Sequence, residues 1–116
     1  MTVIQNSLQD AILKLPEALK DLYKDKLKAI ILYGSVARGT ALEESDVDIL
    51  VLVDASQEEL RNYSDGLNDI STDFALEFLK LFSIIDVSFQ EFSEWKDVSP
   101  FYRNVNRDGV MLYAAL

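Results

Sequence analysis

The run VDILVLV, Val47 to Val53, is the feature that most limits the fold of this chain. After Asp48 it is apolar on both faces, and a strand of that kind belongs in the centre of a sheet. A shorter run, KAIILY from Lys28 to Tyr33, carries β-branched residues and stops at Gly34, so it predicts a second buried strand. The thirteen residues from Gly34 to Asp46 then join the end of one buried strand to the start of another.

The rest of the chain alternates between helical and extended patterns. Ile4, Leu8, Ile12, Leu15, Leu19, Leu22 and Tyr23 recur at three- and four-residue steps and predict an amphipathic helix. Pro16 should break or kink it and open a second short helix. Ser56 followed by Glu59 has the spacing of a capping box. Leu60, Tyr63, Leu67, Ile70, Phe74 and Phe78 then mark one face of one long helix. SIIDVSF, Ser83 to Phe89, reads as a strand with Ile85, Val87 and Phe89 on one side and Asp86 and Ser88 on a polar other side. Ser99 and Pro100 mark a helix start, and GVMLY after Gly109 a last short strand. Helix, strand, strand, helix, strand, helix, strand is the order of an α+β fold, a small sheet packed with helices. At 116 residues the chain makes one domain, residues 1–116, with no internal repeat.

Composition removes several kinds of chemistry. Twenty acidic residues against 11 basic ones give a net charge of -9, which argues against direct nucleic-acid binding or an anionic membrane and favours divalent cations. With no cysteine there are no disulfides or thiolate metal sites. With no histidine there is no imidazole base, so carboxylates are left as proton acceptors and metal ligands. The N-terminus lacks a leader pattern, no apolar run approaches a membrane span, and a cytoplasmic protein is the expectation.

The loop between the two buried strands holds the candidate site. Asp46 and Asp48 lie two apart where a strand begins, so their carboxylates project from one face, repel each other and lose solvation. A divalent metal would relieve both costs, although a capped turn and a solvated strand end would also explain the pair. Gly34 lets backbone approach a ligand, and the following turn offers N–H groups and the Ser35 hydroxyl to phosphate oxygens. Arg38 sits about one helical turn beyond Ser35, where its guanidinium can reach the same phosphates, and Gly39 ends the turn. An ordinary surface turn is the alternative for Gly34-Ser35.

Gly34-Ser35, ten intervening residues, then Asp46-Val47-Asp48, with Ala37-Arg38-Gly39 inside and Ser45 before the first Asp, resembles the signature of the DNA polymerase β-like nucleotidyltransferase superfamily. At roughly 6% usage each, the four fixed residues match by chance at about one start position in 10⁵. The short length and the RDGVMLY ending further resemble its minimal nucleotidyltransferase (MNT) group. The likeness is densest from Tyr33 to Val53 and thin in the N-terminal helix.

The resemblance implies a nucleotidyltransferase fold with a small mixed sheet, and transfer of AMP from ATP. It implies that Gly34, Ser35 and Arg38 bind the nucleotide, while Asp46 and Asp48 bind two Mg²⁺ ions. A third catalytic carboxylate on a neighbouring strand falls on Asp86, with Glu77 and Asp73 poorer candidates because a helix surface explains them. It further implies an acceptor supplied by a partner in a homo- or hetero-oligomer. That acceptor would be a tyrosine of a helical HEPN-type RNase toxin, with this chain as its antitoxin. Phe92, Trp95, Phe101, Tyr102 and Tyr113 could contribute to such an interface or simply cover the core. A transferase acting on a small molecule such as an antibiotic, and a non-catalytic nucleotide-binding regulatory subunit, are the other readings.

Overall fold

The computed structural model describes residues 3–41 and 46–115, with side chains from Leu8 onward. Ser45 and the side chain of Ile4, both used above, lie outside the described residues. The elements run α1 (Val3–Tyr23), β1 (Leu27–Tyr33), α2 (Gly34–Arg38), β2 (Val47–Val53), α3 (Gln57–Leu60), α4 (Ser64–Phe78), β3 (Phe82–Ser88), α5 (Phe89–Trp95), α6 (Pro100–Asp108) and β4 (Val110–Ala114).

The four strands form one mixed sheet in the order β3-β2-β1-β4. β1 is antiparallel to both β2 and β4, whereas β2 and β3 are parallel and joined through α3 and α4. β2 is therefore central, and helices cover it on both sides, which is why its sequence carries no polar face after Asp48. On one side Leu15, Leu19, Phe74 and Phe78 of α1 and α4 pack on Ile30, Val47, Ile49, Val51 and Phe82. On the other, Phe92 of α5 and Val105 of α6 pack with Ala29, Ile31, Leu50, Leu52 and Val87. Along β2 successive residues alternate between the two faces, as the pleat requires, while β1 shifts its register between Leu27 and Ala29, which pack on opposite sides.

Three expectations are corrected. Pro16 does not end a helix, because α1 continues through it to Tyr23. An interior proline costs ~3 kcal/mol. The fully buried Leu15 and Leu19 on either side contribute about 1.5–3 kcal/mol each when pinned to the sheet, enough to outweigh it. The helix after Ser56 is not continuous. A tighter 3-10 turn, Arg61–Tyr63, separates α3 from α4 and places the Tyr63 ring 4.8 Å from that of Tyr23. Phe89 does not extend β3 but opens α5, because the Ser88 hydroxyl accepts the Glu91 N–H and caps a new helix there.

Candidate active site

The site forms where β1 ends and β2 begins. Gly34 adopts φ 75°, a left-handed conformation that glycine takes without strain. A Cβ built on it would collide with Oδ2 of Asp48 and lie 3.1 Å from its Cγ. Only glycine fits this place, for both backbone and packing reasons. The Asp48 carboxylate thus rests against the first residue of α2, and Tyr33 pairs with Asp48 across β1 and β2.

Tyr33 precedes α2 without a side-chain cap, so no capping oxygen occupies the first N–H groups of α2, whose opening residue Gly34 lies against Asp48. Gly39, at φ 74°, closes the turn in a left-handed conformation. The Thr40 N–H donates to Ser35 O at 3.0 Å, which ties the turn back on itself.

The electrostatics of the pair follow from this packing. Burial pushes the Asp48 carboxyl above its ordinary range, the charge of Asp46 pushes it further, and Arg38 partly offsets both. Burial, and then the Asp48 charge, raise the Tyr33 hydroxyl as well. Asp46 itself is exposed at the threshold of β2. Carboxylate repulsion with partial desolvation, beside Arg38 and uncapped N–H groups, suits a divalent cation together with an anionic ligand such as a phosphate chain.

The structure does not bring Asp86 to this pair. β2 and β3 are parallel with Asp48 opposite Ser83 and Val51 opposite Asp86. Asp48 shares its face with Leu50, Leu52 and Val87, while Asp86 lies in the alternate row with Phe82 and Ile84, on the face covered by α1 and α4. There Asp86 accepts a 2.9 Å hydrogen bond from the buried Tyr23 hydroxyl. The residue expected as the third acid therefore stands on the sheet face opposite Asp48, where it accepts from Tyr23. Among the described residues no group of three or more carboxylates gathers into a metal cage.

What the sequence reading left unassigned is the wall opposite α2. A cleft of ≈ 230 Å³ opens between Gly34 and Arg38 on one side and Phe101, Asn104, Val105 and Asp108 of α6 on the other, with Tyr33 at its floor. Those α6 residues stand three and four apart, so one helix face supplies the wall. That spacing was the available signal. The Phe101 ring meets Tyr33 edge-on at 5.5 Å. Asp108 is held by Arg107 through two 2.9 Å hydrogen bonds, which keep its carboxyl below the ordinary range, and the Arg107 and Arg38 charges act in the same sense.

A larger hollow of ≈ 360 Å³ lies at the other end of β2, lined by Lys26, Asp54, Ser56, Glu59, Ser88 and Gln90. Three of its polar side chains are engaged in helix caps, Ser56 and Glu59 reciprocally and Ser88 in capping α5. The smaller cleft, beside Asp48, is the one that the candidate residues Gly34 and Arg38 line.

Comparison with known proteins gives the family and the fold. The family model described as "Nucleotidyltransferase domain" matches residues 12–106. A Methanocaldococcus jannaschii protein named a "putative protein adenylyltransferase" is 36% identical over 105 residues, covering 90% of this chain and 97% of its own. A second protein of that name from the same organism is 37% identical over 79 residues, covering 68% of this chain and 49% of the relative. Among solved structures, a toxin-antitoxin complex with AMP-PNP contains a similar chain, with TM-score 0.61 and 21% identity over 90% of this chain and 73% of that one. Another is the complex of a tri-AMPylated Shewanella oneidensis HEPN toxin with its MNT antitoxin, with TM-score 0.58 and 19% identity over 92% of this chain and 72% of the matched one. At such identities the structural likeness shows the fold, and it is the fold described above.

Proposed function

Because the chain belongs to the nucleotidyltransferase domain family, we propose that it transfers AMP from ATP to a protein hydroxyl, with Asp46 and Asp48 holding Mg²⁺. The observation that carries the reading is Gly34, whose missing side chain leaves room for the Asp48 carboxylate against the start of α2. Phosphate donors and metal-ligating oxygens thereby come side by side on one sheet face. The carboxylate pair fits Mg²⁺, which takes a few protein oxygens and keeps its other positions for water and phosphate. Mg²⁺ bound there would neutralise charge developing on the attacking oxygen and on the pyrophosphate.

The chain's own part is to bind and align. Ser35 and the α2 N–H groups would hold the phosphate chain, and the Arg38 guanidinium would pair with its outer oxygens. The acceptor oxygen would attack the α-phosphorus, the bond to the β-phosphate would break, and pyrophosphate would leave as the hydroxyl proton is lost. This reading gives Asp86 no part, and its place on the opposite sheet face, bonded to Tyr23, supports that.

For the acceptor we favour a tyrosine of a helical HEPN-type toxin, this chain being the antitoxin. Two lines support that choice: the name carried by the M. jannaschii relatives, and the toxin-antitoxin complexes among the structures of the same fold. The test is to incubate the protein with ATP, MgCl₂ and its co-purified helical partner, then locate adducts by mass spectrometry. AMP on a partner tyrosine, absent with Asp48→Asn, is the expected result. Transfer to added small hydroxyl compounds, with the partner unmodified, would favour the small-molecule reading instead.

A further inference from the structure

The cleft beside Asp48 is asymmetric in charge. α2 contributes Gly34 and the Arg38 guanidinium; α6 contributes Phe101, Asn104 and Val105, with the Asp108 carboxylate held by Arg107 and within reach of the Arg38 charge. A phosphate chain entering it is drawn to Arg38, whereas the α6 residues that line the cleft offer it no cation and the one carboxylate among them, Asp108, is already paired with Arg107, so the uncharged part of the ligand fits along α6. At ≈ 230 Å³ the cleft is smaller than sites for drug-sized ligands and suits a single flat ring system. Phe101 is 42% exposed although it already meets Tyr33 edge-on, which leaves ring surface uncovered at the cleft. Asn104 adds a carboxamide, the one side chain lining the cleft that both donates and accepts through a planar amide.

We propose that α6 forms the base subsite of the nucleotide, with Phe101 packing on the base and Asn104 selecting adenine over guanine. On the edge that carries N7, adenine presents the N6 amino donor beside the N7 acceptor and a carboxamide pairs with both, whereas guanine presents two acceptors there, O6 and N7, and returns only half of that contact. This assignment rests on the phosphate-binding role given to Gly34, Ser35 and Arg38, and deepens it by naming what reads the base.

The test measures binding of ATP, GTP and inorganic tripolyphosphate by calorimetry, with MgCl₂ present, for the wild type and the Asn104→Ala, Phe101→Leu and Arg38→Ala variants. The wild type should prefer ATP to GTP. Asn104→Ala should weaken ATP about 10-fold and leave tripolyphosphate unchanged, so the ATP:GTP ratio collapses. Phe101→Leu should weaken both nucleotides and spare tripolyphosphate. A ratio that Asn104→Ala does not move, or a wild type without preference, overturns the base subsite while the phosphate site stands. Loss of the phosphate site itself shows differently: Arg38→Ala would then leave tripolyphosphate affinity at the wild-type value.

Discussion

Gly34 and Asp48 act on each other through space that one methyl group would fill. The positive φ at Gly34 lays the start of α2 against the Asp48 carboxylate, and that contact removes water from a charge that Asp46 already opposes. The cost appears as a raised carboxyl pKa, and its effect on stability has a definite sign. Between the ordinary carboxylate value and the raised one, the native state binds more protons than the unfolded chain. Stability of the metal-free protein therefore falls as pH rises through that window. Asp48→Asn removes the charge, so it should be more stable than the wild type at neutral pH without metal. That advantage should shrink as pH drops below the ordinary carboxylate value, where the wild-type carboxyl is protonated in both states. Urea unfolding of both proteins at several pH values, in EDTA, checks this; an advantage independent of pH would mean that charge is not the cause.

At the scale of elements, the patterns dictated by burial on both faces were the most legible. β2 could be read to its boundaries because a seven-residue run with one acid near its start has no other place than the middle of a sheet. The Ser56–Glu59 box and the Ser99–Pro100 start were equally plain, since capping is local chemistry. The side of the sheet on which Asp86 stands was not legible. Alternation along β3 separates Ile85 and Val87 from Asp86 and Ser88, but only the pairing of Val51 with Asp86 says which row faces α1 and α4 and which faces α5 and α6. α5 was missed although Ser88 and Glu91 have cap spacing, because Phe89 also continued the strand's alternation. Pro16 was misjudged for the converse reason, a strong local rule overridden by burial. Its local cost should still be measurable: Pro16→Ala restores a backbone donor and removes a steric clash inside α1. After allowance for the greater freedom of the unfolded chain, we expect a gain of about 1–2 kcal/mol in denaturant midpoints. No gain would mean that α1 has adapted fully to its proline.

Across the whole molecule, the sheet is a partition. Its α5–α6 face carries Asp48, Tyr33 and the cleft, while its α1–α4 face carries most of the large buried side chains and the Tyr23–Asp86 hydrogen bond. The same carboxylate substitution should therefore have opposite consequences on the two faces. A ligand that binds only the native state stabilises it by about 2.7 kcal/mol when present at 100 times its Kd. For a domain of this size that is a rise on the order of 10 °C in Tm. Wild-type protein titrated with ATP in MgCl₂ should show such a rise, and Asp48→Asn should lose most of it. Asp86→Asn keeps an acceptor for the Tyr23 hydroxyl, so its unliganded stability should fall by no more than about 1.5 kcal/mol. Its ligand-induced rise should match the wild type, and so should its rate of transfer. The assay reads both faces at once, baseline Tm for the α1–α4 side and ligand shift for the cleft side. If Asp86→Asn abolished the shift while leaving the baseline untouched, the two carboxylates would be acting together and the partition drawn from the strand register would be wrong.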